Sequence, residues 1–386
     1  FGANAAFHAD ETAPATSNHI VHLVPSPDQS DILTYHKADV PEPSGPTMDL
    51  TATNIVIATG AKPRPLPGNP FAGALIDSTQ ALEVNEFPSS AVIIGAGAIA
   101  LEFASMWNAA GSKVTLLIRK DRVLSAWDRR AGTTLTRELK RHGVNIITRA
   151  SVTHVDTGAN LGATVHYTRE GQDGEQSVWG EIALVAIGRD PITDPAWGVT
   201  IDDHGHVATD AYGRTDKPGV WAVGDVTAGH ALAHRAFEQG IVIAETIAGL
   251  NPKPVDEATV PQIVFSFPEA ASVGLTVEQA QAREDLIEIK ETNYPMLANA
   301  RMLMSGTAGS LTIVSGCDAA NPDTPRVLGV HMVSQMASDI IAEAEQLVGN
   351  HVPLAGAARL VHPHPTFSET LGEALLKADG RPLHTR

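Results

Sequence analysis

Hydrophobic positions along the chain fall into short dense runs separated by amphipathic stretches, a spacing that predicts strands alternating with helices. Asn54-Ile55-Val56-Ile57-Ala58-Thr59-Gly60 reads as a buried strand ending in glycine, and Ala91-Val92-Ile93-Ile94 as another. Gly95 to Ala100 and a helical stretch to about Ala110 follow the second run. Lys113 to Ile118 is the next apolar strand, Arg129 to His142 an amphipathic helix, and Val144 to Thr148 a further strand. Residues 151–180 read as a polar β-meander before the buried run Ile182 to Ile187. Val220-Trp221-Ala222-Val223-Gly224-Asp225 is again a strand, and a helix runs from about Ala231 to Leu250. Strands alternating with helices imply a parallel, doubly wound α/β sheet.

The flanking regions read differently. Residues 1–50 are polar, with β-like pieces such as Ile20 to Val24 and a loop at Pro41 to Pro46. Ala61 to Pro70 carries four prolines and reads as an extended connection. Beyond the linker Asn251-Pro252-Lys253-Pro254, β segments (Gln262 to Phe265, Gly309 to Val314, Arg326 to Met332) precede helices (Ala337 to Val348, Ser368 to Leu376). That mixture predicts an α+β domain at the C-terminus.

Composition narrows the classes of function. A chain of 386 residues exceeds one ordinary core, so two or three domains are expected. The net charge of −17 repels nucleic acid and anionic membrane, so neither is an expected partner. No apolar run reaches about 18 residues, and no signal peptide is visible. Cys317 is the single cysteine, which excludes an internal disulfide and fits a reducing cytoplasm. Thiol chemistry needing two cysteines must therefore use groups outside these residues. The first residue is Phe1 rather than Met, which suggests a fragment. No metal is expected.

Gly95-Ala96-Gly97-Ala98-Ile99-Ala100, after a strand and opening a helix, is the pattern of a dinucleotide-binding turn. Gly95 allows the tight turn, Gly97 lets backbone approach a pyrophosphate, and Ala100 fills the close-packing position. The helix N-terminus supplies N–H donors to phosphate. A structural Gly-rich turn is the alternative. At the end of the next strand an NAD site wants a carboxylate, yet the chain reads Ile118-Arg119-Lys120-Asp121-Arg122. These cations suit a 2′-phosphate, and a solvated basic turn is the alternative. The small residues ending the strands at Gly60 and Gly224-Asp225 let a cofactor lie against backbone, and Asp225 can accept from sugar-like hydroxyls. Near the C-terminus, His364 and Glu369 lie five apart across a loop-to-helix junction, with Ser368 or Thr366 as the helix cap. A His oriented by a carboxylate is a general acid/base pair, and a surface His in a proline turn is the alternative.

Taken together these segments resemble the pyridine nucleotide-disulfide oxidoreductases, the family of glutathione reductase, mercuric reductase and dihydrolipoamide dehydrogenase. The resemblance covers nearly the whole chain and implies a partial FAD-binding domain in two parts, 1–79 and 209–254, an NAD(P)-binding Rossmann-like domain over 80–208, and a dimerisation domain over 255–386. Ala58-Thr59-Gly60 is similar to the family's flavin segment, and Gly224-Asp225 to the one whose Asp binds the ribityl chain of FAD. Ala186-Ile187-Gly188-Arg189 resembles the strand end beside the nicotinamide. His364 matches the catalytic His and Glu369 its partner. Glu102 matches a glutamate that pairs with a Lys just after the redox disulfide, and is expected here to lack that partner.

Several runs resemble the dihydrolipoamide dehydrogenase branch: Leu232-Ala233-His234-Arg235, Ala271-Ser272-Val273-Gly274, Ala298-Asn299-Ala300-Arg301, His362 to Glu369, and Gly380 to His384. Leu232, Ala233 and His234 join the implied cofactor contacts. Ile118 to Leu124, with Trp127-Asp128, is instead similar to the NADPH site of glutathione reductase.

The resemblance implies FAD and NAD or NADP as cofactors. It also implies a homodimer formed by the residues after about 255, with His364 serving the other subunit. The implied substrate is dihydrolipoamide or another dithiol or disulfide, with the lipoyl domains of a 2-oxo acid dehydrogenase complex as a partner. The family's Gly-x-Gly-x-x-Gly loop for FAD and its Cys-x-x-x-x-Cys pair do not occur in these residues. An N-terminal truncation, a partial flavin site and an inactive fragment are therefore expected. Three readings stand: a dihydrolipoamide dehydrogenase, an NADPH-dependent reductase of another disulfide or a quinone, and a non-catalytic nucleotide-binding or dimerisation module.

Overall fold

The computed structural model describes residues 5–8, 19–23, 48–158 and 162–385. The expected Pro41 to Pro46 loop lies outside them. By packing, the chain divides into two compact units, residues 1–62 with 190–257, and residues 63–189 with 258–386.

In the first unit, Ala5–His8, His19–Leu23 and Met48–Ala52 form an antiparallel sheet. Ile55–Ile57 pairs in parallel with Val220–Ala222. Ile57, Trp197, Val207, Ala222 and Val226 bury together around this pair. The helix Ala233–Ile247 follows.

The second unit opens with five parallel strands in the order Leu75–Ile76, Ile182–Val185, Ser90–Ile94, Lys113–Leu117, Asn145–Ile147. Side chains alternate between the faces of a strand, and here both faces are covered. Ile93, Leu116 and Leu184 sit in one row on the face that buries Leu101, Trp107, Leu135 and Leu139 of the helices Ala98–Ala109 and Arg129–Arg141. Val92, Leu117, Ala183 and Val185 face the other way, onto Ala163, Val165 and Tyr167 of the meander Ala150–Asp156, Ala163–Arg169, Gln176–Gly180. Continuous apolar runs are what such doubly covered strands require. Asp128 caps the second helix by accepting from Ala131 N–H at 2.8 Å.

The C-terminal part is a five-stranded antiparallel sheet in the order Gln262–Val264, Glu269–Gly274, Asn321–Ser334, Ser310–Asp318, Leu286–Pro295. One core joins Leu311, Ile313, Val330 and Met332 of this sheet to Ile340, Ile341 and Leu347 of Ala337–Gly349 and to Leu371 and Leu375 of Glu369–Ala378. Val264, Ala270 and Val333 belong instead to the core that holds Ile93 and Leu101. Ser310 Oγ also donates to Thr134 Oγ1 at 3.1 Å. The C-terminal sheet is thereby packed into the same unit as the parallel one.

Candidate functional site

The fingerprint loop follows from its strand. Gly95 has φ +146°, and a Cβ there would collide with the Ala186 carbonyl. That contact exists because Ala186 N–H donates to Ile94 O at 2.8 Å, bringing the end of the neighbouring strand against the turn. Only glycine tolerates both the backbone and the approach. At Gly97 a Cβ would project into open space, with nothing within 4 Å. Gly97 is the N-cap of Ala98–Ala109 and no side chain caps that helix. Ala98, Ile99 and Ala100 thus open a helix whose first N–H groups face an unfilled approach, the geometry a pyrophosphate fits. Ala100 is fully buried. Gly188 has φ +133° and packs near the Arg64 guanidinium.

Glu102 has a partner of its own. Its Oε1 accepts from Phe265 N–H at 3.0 Å, so it links the second helix turn to the C-terminal sheet.

The basic turn separates into two kinds of cation. Ile118 is buried in the core, so the strand end next to the fingerprint turn carries an apolar side chain rather than a carboxylate. Arg119 and Lys120 are exposed. Arg122 folds back, donating to Asp121 Oδ1 at 3.1 Å and Ser125 O at 3.2 Å. Arg122 also lines an open groove of about 400 Å³ together with Arg129, Arg137 and Lys140.

Residues of the first unit supply the second cluster. Ala222 pairs with Ile57 in register, and Val223 N–H donates to Ile57 O at 3.0 Å. Ala58-Thr59-Gly60 and Gly224-Asp225 therefore leave the carboxyl ends of adjacent parallel strands, where ligands of open α/β sheets bind. Thr59 Oγ1 donates to Ile192 O at 2.6 Å. Gly224 N–H donates to Gln239 Oε1 at 3.0 Å, which anchors the Gly-Asp turn to Ala233–Ile247. Leu232 is the N-cap of that helix, and Ala233 and His234 are exposed in its first turn. Arg235 stands in the sequence only as the last residue of the Leu232-Ala233-His234-Arg235 segment. Its buried guanidinium reaches Glu257, Ala228 O and Thr227 Oγ1, and so ties down the loop after Asp225.

The C-terminal pair is explicit. His364 Nδ1 lies 2.7 Å from Glu369 Oε2. His364 is 72% exposed and Glu369 only 16%. Facing a carboxylate, the ring donates from Nδ1, and in that neutral tautomer Nε2 keeps its lone pair as an acceptor. Glu369 sits in the first turn of Glu369–Ala378, where the helix dipole favours its charge. The Thr366 hydroxyl, not that of Ser368, accepts from Glu369 N–H, at 3.3 Å. Asn299, buried, donates to Glu369 Oε1 at 2.9 Å and to Thr366 O at 3.0 Å. It also caps Ala300–Ser305 through Met302 N–H at 3.0 Å. Asn299 was visible in sequence only as part of a family segment, because its partners lie about 70 residues away.

Asn299 is therefore a positioning residue. Asn299→Ala is expected to lower stability by about 1–3 kcal/mol, from a lost cap and a half-buried carboxylate oxygen left without its donor. Urea unfolding reads this directly, and an unchanged midpoint would count against the assignment.

His362 is held apart from this group. Its Nε2 lies 2.9 Å from Glu343 Oε1, and the ring occupies the space above Gly372. The Glu343 hydrogen bond raises its pKa above the ordinary imidazole value. A raised folded-state pKa contributes stability that is fully present below the unfolded value of about 6.5 and is lost as pH rises through the folded value. Glu343→Gln should thus destabilise the protein more at about pH 5 than at about pH 9. Equal losses at both values would exclude the linkage.

Comparison with known proteins agrees with this architecture. The family model for pyridine nucleotide-disulphide oxidoreductase matches residues 18–240, and the family's dimerisation-domain model matches residues 260–375. Dihydrolipoyl dehydrogenase of Cupriavidus necator is 37% identical over 341 residues, covering 87% of this chain and 70% of that protein. A dihydrolipoyl dehydrogenase of Bacillus subtilis is 36% identical over the same span. Among solved structures, LpdA from Mycobacterium tuberculosis superposes with a TM-score of 0.80 at 25% identity, over 97% of this chain and 76% of that one. The HOCl-induced flavoprotein disulfide reductase RclA from Escherichia coli gives 0.74 at 27%, over 85% and 74%. Among the described residues no helix is long and apolar enough to cross a membrane. With both of its characteristic domains matched in order, the chain belongs to the pyridine nucleotide-disulphide oxidoreductases.

Proposed function

We propose that the protein is the dithiol-oxidising subunit of a homodimeric, flavin-dependent dihydrolipoyl dehydrogenase. The observation that carries this reading is the His364–Glu369 pair, with its ring hydrogen-bonded on one nitrogen and open on the other. Nε2 of His364 takes the proton of a substrate thiol, since only the thiolate attacks a disulfide. Glu369 keeps the ring in that tautomer and stabilises the imidazolium, while Asn299 holds the carboxylate. FAD, when bound, relays two electrons between the thiols and the nicotinamide. Asp225, Gly224 and Ala58-Thr59-Gly60 supply part of its site, and Gly95, Gly97 and Ala98-Ile99-Ala100 hold the nicotinamide dinucleotide.

Cys317 cannot serve as a redox thiol. It is buried and single, and burial pushes its pKa up. This reading takes the redox disulfide and the flavin phosphate loop from residues other than these 386. The dimer forms through the residues after about 255 and brings His364 to the partner's disulfide. Lipoyl domains of a 2-oxo acid dehydrogenase complex are the natural dithiol source in a reducing cytoplasm.

One observation favours a second reading. A buried Ile118 followed by exposed Arg119 and Lys120 suits NADPH, and with it a reductase of another disulfide or a quinone. The flavin-loaded protein with its redox cysteine pair should separate the two. The first reading expects kcat/KM for dihydrolipoamide to exceed that for glutathione or a quinone by at least about tenfold. A quinone or glutathione disulfide turned over faster with NADPH would favour the second.

A further inference from the structure

The meander that covers the parallel sheet carries a cluster with no part in the chemistry above. Along Ala163–Arg169, Val165 and Tyr167 point into the core, so Thr164 and His166 point outward. On the paired strand, Val152 lies opposite Tyr167, but Val155 lies opposite Val165. The register shifts between Val152 and His154, a β-bulge at Thr153. Bulges re-aim side chains, and this one turns both His154 and Asp156 to the outer face while keeping Val152 and Val155 inward. The bulge is pinned from outside the meander, because Val155 N–H donates to Asn69 Oδ1 at 2.9 Å.

The result is a compact donor set. His154 and His166 are directly cross-strand, their rings stacked 4.1 Å apart and 8° from parallel. Their Nε2 atoms lie 3.9 and 3.1 Å from Asp156 Oδ2, and the three donor atoms all fall within 4.8 Å of one another. Donors around a tetrahedral metal with bonds of about 2.1 Å stand about 3.4 Å apart, so these spacings need only small adjustments. Tilting each ring about its Cβ–Cγ bond converges the lone pairs, and the exposed edges leave room for it. Behind the rings, Glu175 faces both Nδ1 atoms, at 3.8 Å from His154 and 3.6 Å from His166. Thr153 Oγ1 donates to Glu175 Oε1 at 2.7 Å. His154 Nδ1 lies 3.3 Å from Thr153 Oγ1, and a shift of a few tenths of an ångström brings Glu175 within reach of an Nδ1 hydrogen, leaving Nε2 for the metal.

We propose that His154, Asp156 and His166 bind one divalent first-row transition metal, with Glu175 as the positioning carboxylate. Two imidazoles and one carboxylate suit such a metal better than calcium or magnesium, which take all-oxygen sites. The ion would clasp Ala150–Asp156 to Ala163–Arg169 on the outer face.

Calorimetric titration of the chain with Zn(II) tests this. One saturable equivalent is expected. Glu175→Gln should weaken it about 10–100-fold, and His154→Gln with His166→Gln by more than that. All other histidines remain in these variants, so binding elsewhere would survive them. Asp156→Asn, a conservative change at an exposed strand end, provides the same reading if the double variant does not fold. Equal affinity in the parent and in these variants, or no saturable equivalent in the parent, would overturn the site.

Discussion

His364→Ala is expected to slow reduction of the flavin-loaded enzyme by dihydrolipoamide about 10²–10⁴-fold, the usual contribution of a positioned base. A thiol with an ordinary pKa near 8.5 is mostly protonated at neutral pH, and a base working near that pH must remove the proton. His364 offers an exposed ring whose other nitrogen is engaged by Glu369 at 2.7 Å. His362 offers no such atom, since its Nε2 is already engaged with Glu343 at 2.9 Å. His362→Ala should therefore cost stability more than rate. Glu369→Ala should be milder than His364→Ala, because it misorients the base without removing it. Electron transfer from the nicotinamide to an artificial acceptor bypasses the thiol and should change little in all three variants. Stopped-flow flavin reduction distinguishes them. If His362→Ala is crippled while His364→Ala runs at the parent rate, the assignment fails.

The second large effect concerns the nucleotide. The parent should bind NADPH more tightly than NADH by about 10–100-fold, the equivalent of one charge-assisted hydrogen bond of about 1.5–3 kcal/mol. Arg119→Glu should reverse the order. It removes an exposed cation and restores a carboxylate beside the buried Ile118, where a ribose 2′-hydroxyl could use it. Arg122→Ala should leave the preference largely intact and loosen the turn instead, since that guanidinium is engaged by Asp121 and Ser125. Calorimetric titration of both nucleotides into the three proteins is the measurement. A parent that favours NADH would refute the charge argument. A preference that follows Arg122 rather than Arg119 would move the specificity residue inside the same turn.

Much of this architecture is legible in the sequence for one reason: doubly covered strands must be apolar throughout. Ala91 to Ile94 and Lys113 to Ile118 announce themselves in this way, and the structure has strands at Ser90–Ile94 and Lys113–Leu117. The helices expected at 129–142 and 337–348 are found at Arg129–Arg141 and Ala337–Gly349, because their amphipathic period is long and clear. Leu286–Pro295 is not marked by its sequence: the alternation of Ile287-Glu288-Ile289-Lys290 is short and broken by a register shift between Ile287 and Lys290. Glu269–Gly274 was seen as a family segment but not as a strand, since its small residues Ala270 and Ala271 carry little hydrophobic signal.

Local sequence thus determined the strand–turn–helix fingerprint at Gly95, the apolar Ile118 with its basic turn, and the five-residue spacing of His364 and Glu369. These depend on backbone conformations and neighbours close along the chain. Tertiary structure decided the rest. Asn299 finds Glu369 across 70 residues, Glu102 finds Phe265 across 163, and Arg235 finds Glu257 across 22. None of those pairings leaves a periodic trace, because a hydrogen bond between distant segments constrains single positions rather than a pattern. The face on which His154 and Asp156 stand was undecidable for the same reason. One bulge at Thr153, held by Asn69, reverses the alternation that sequence alone would extrapolate.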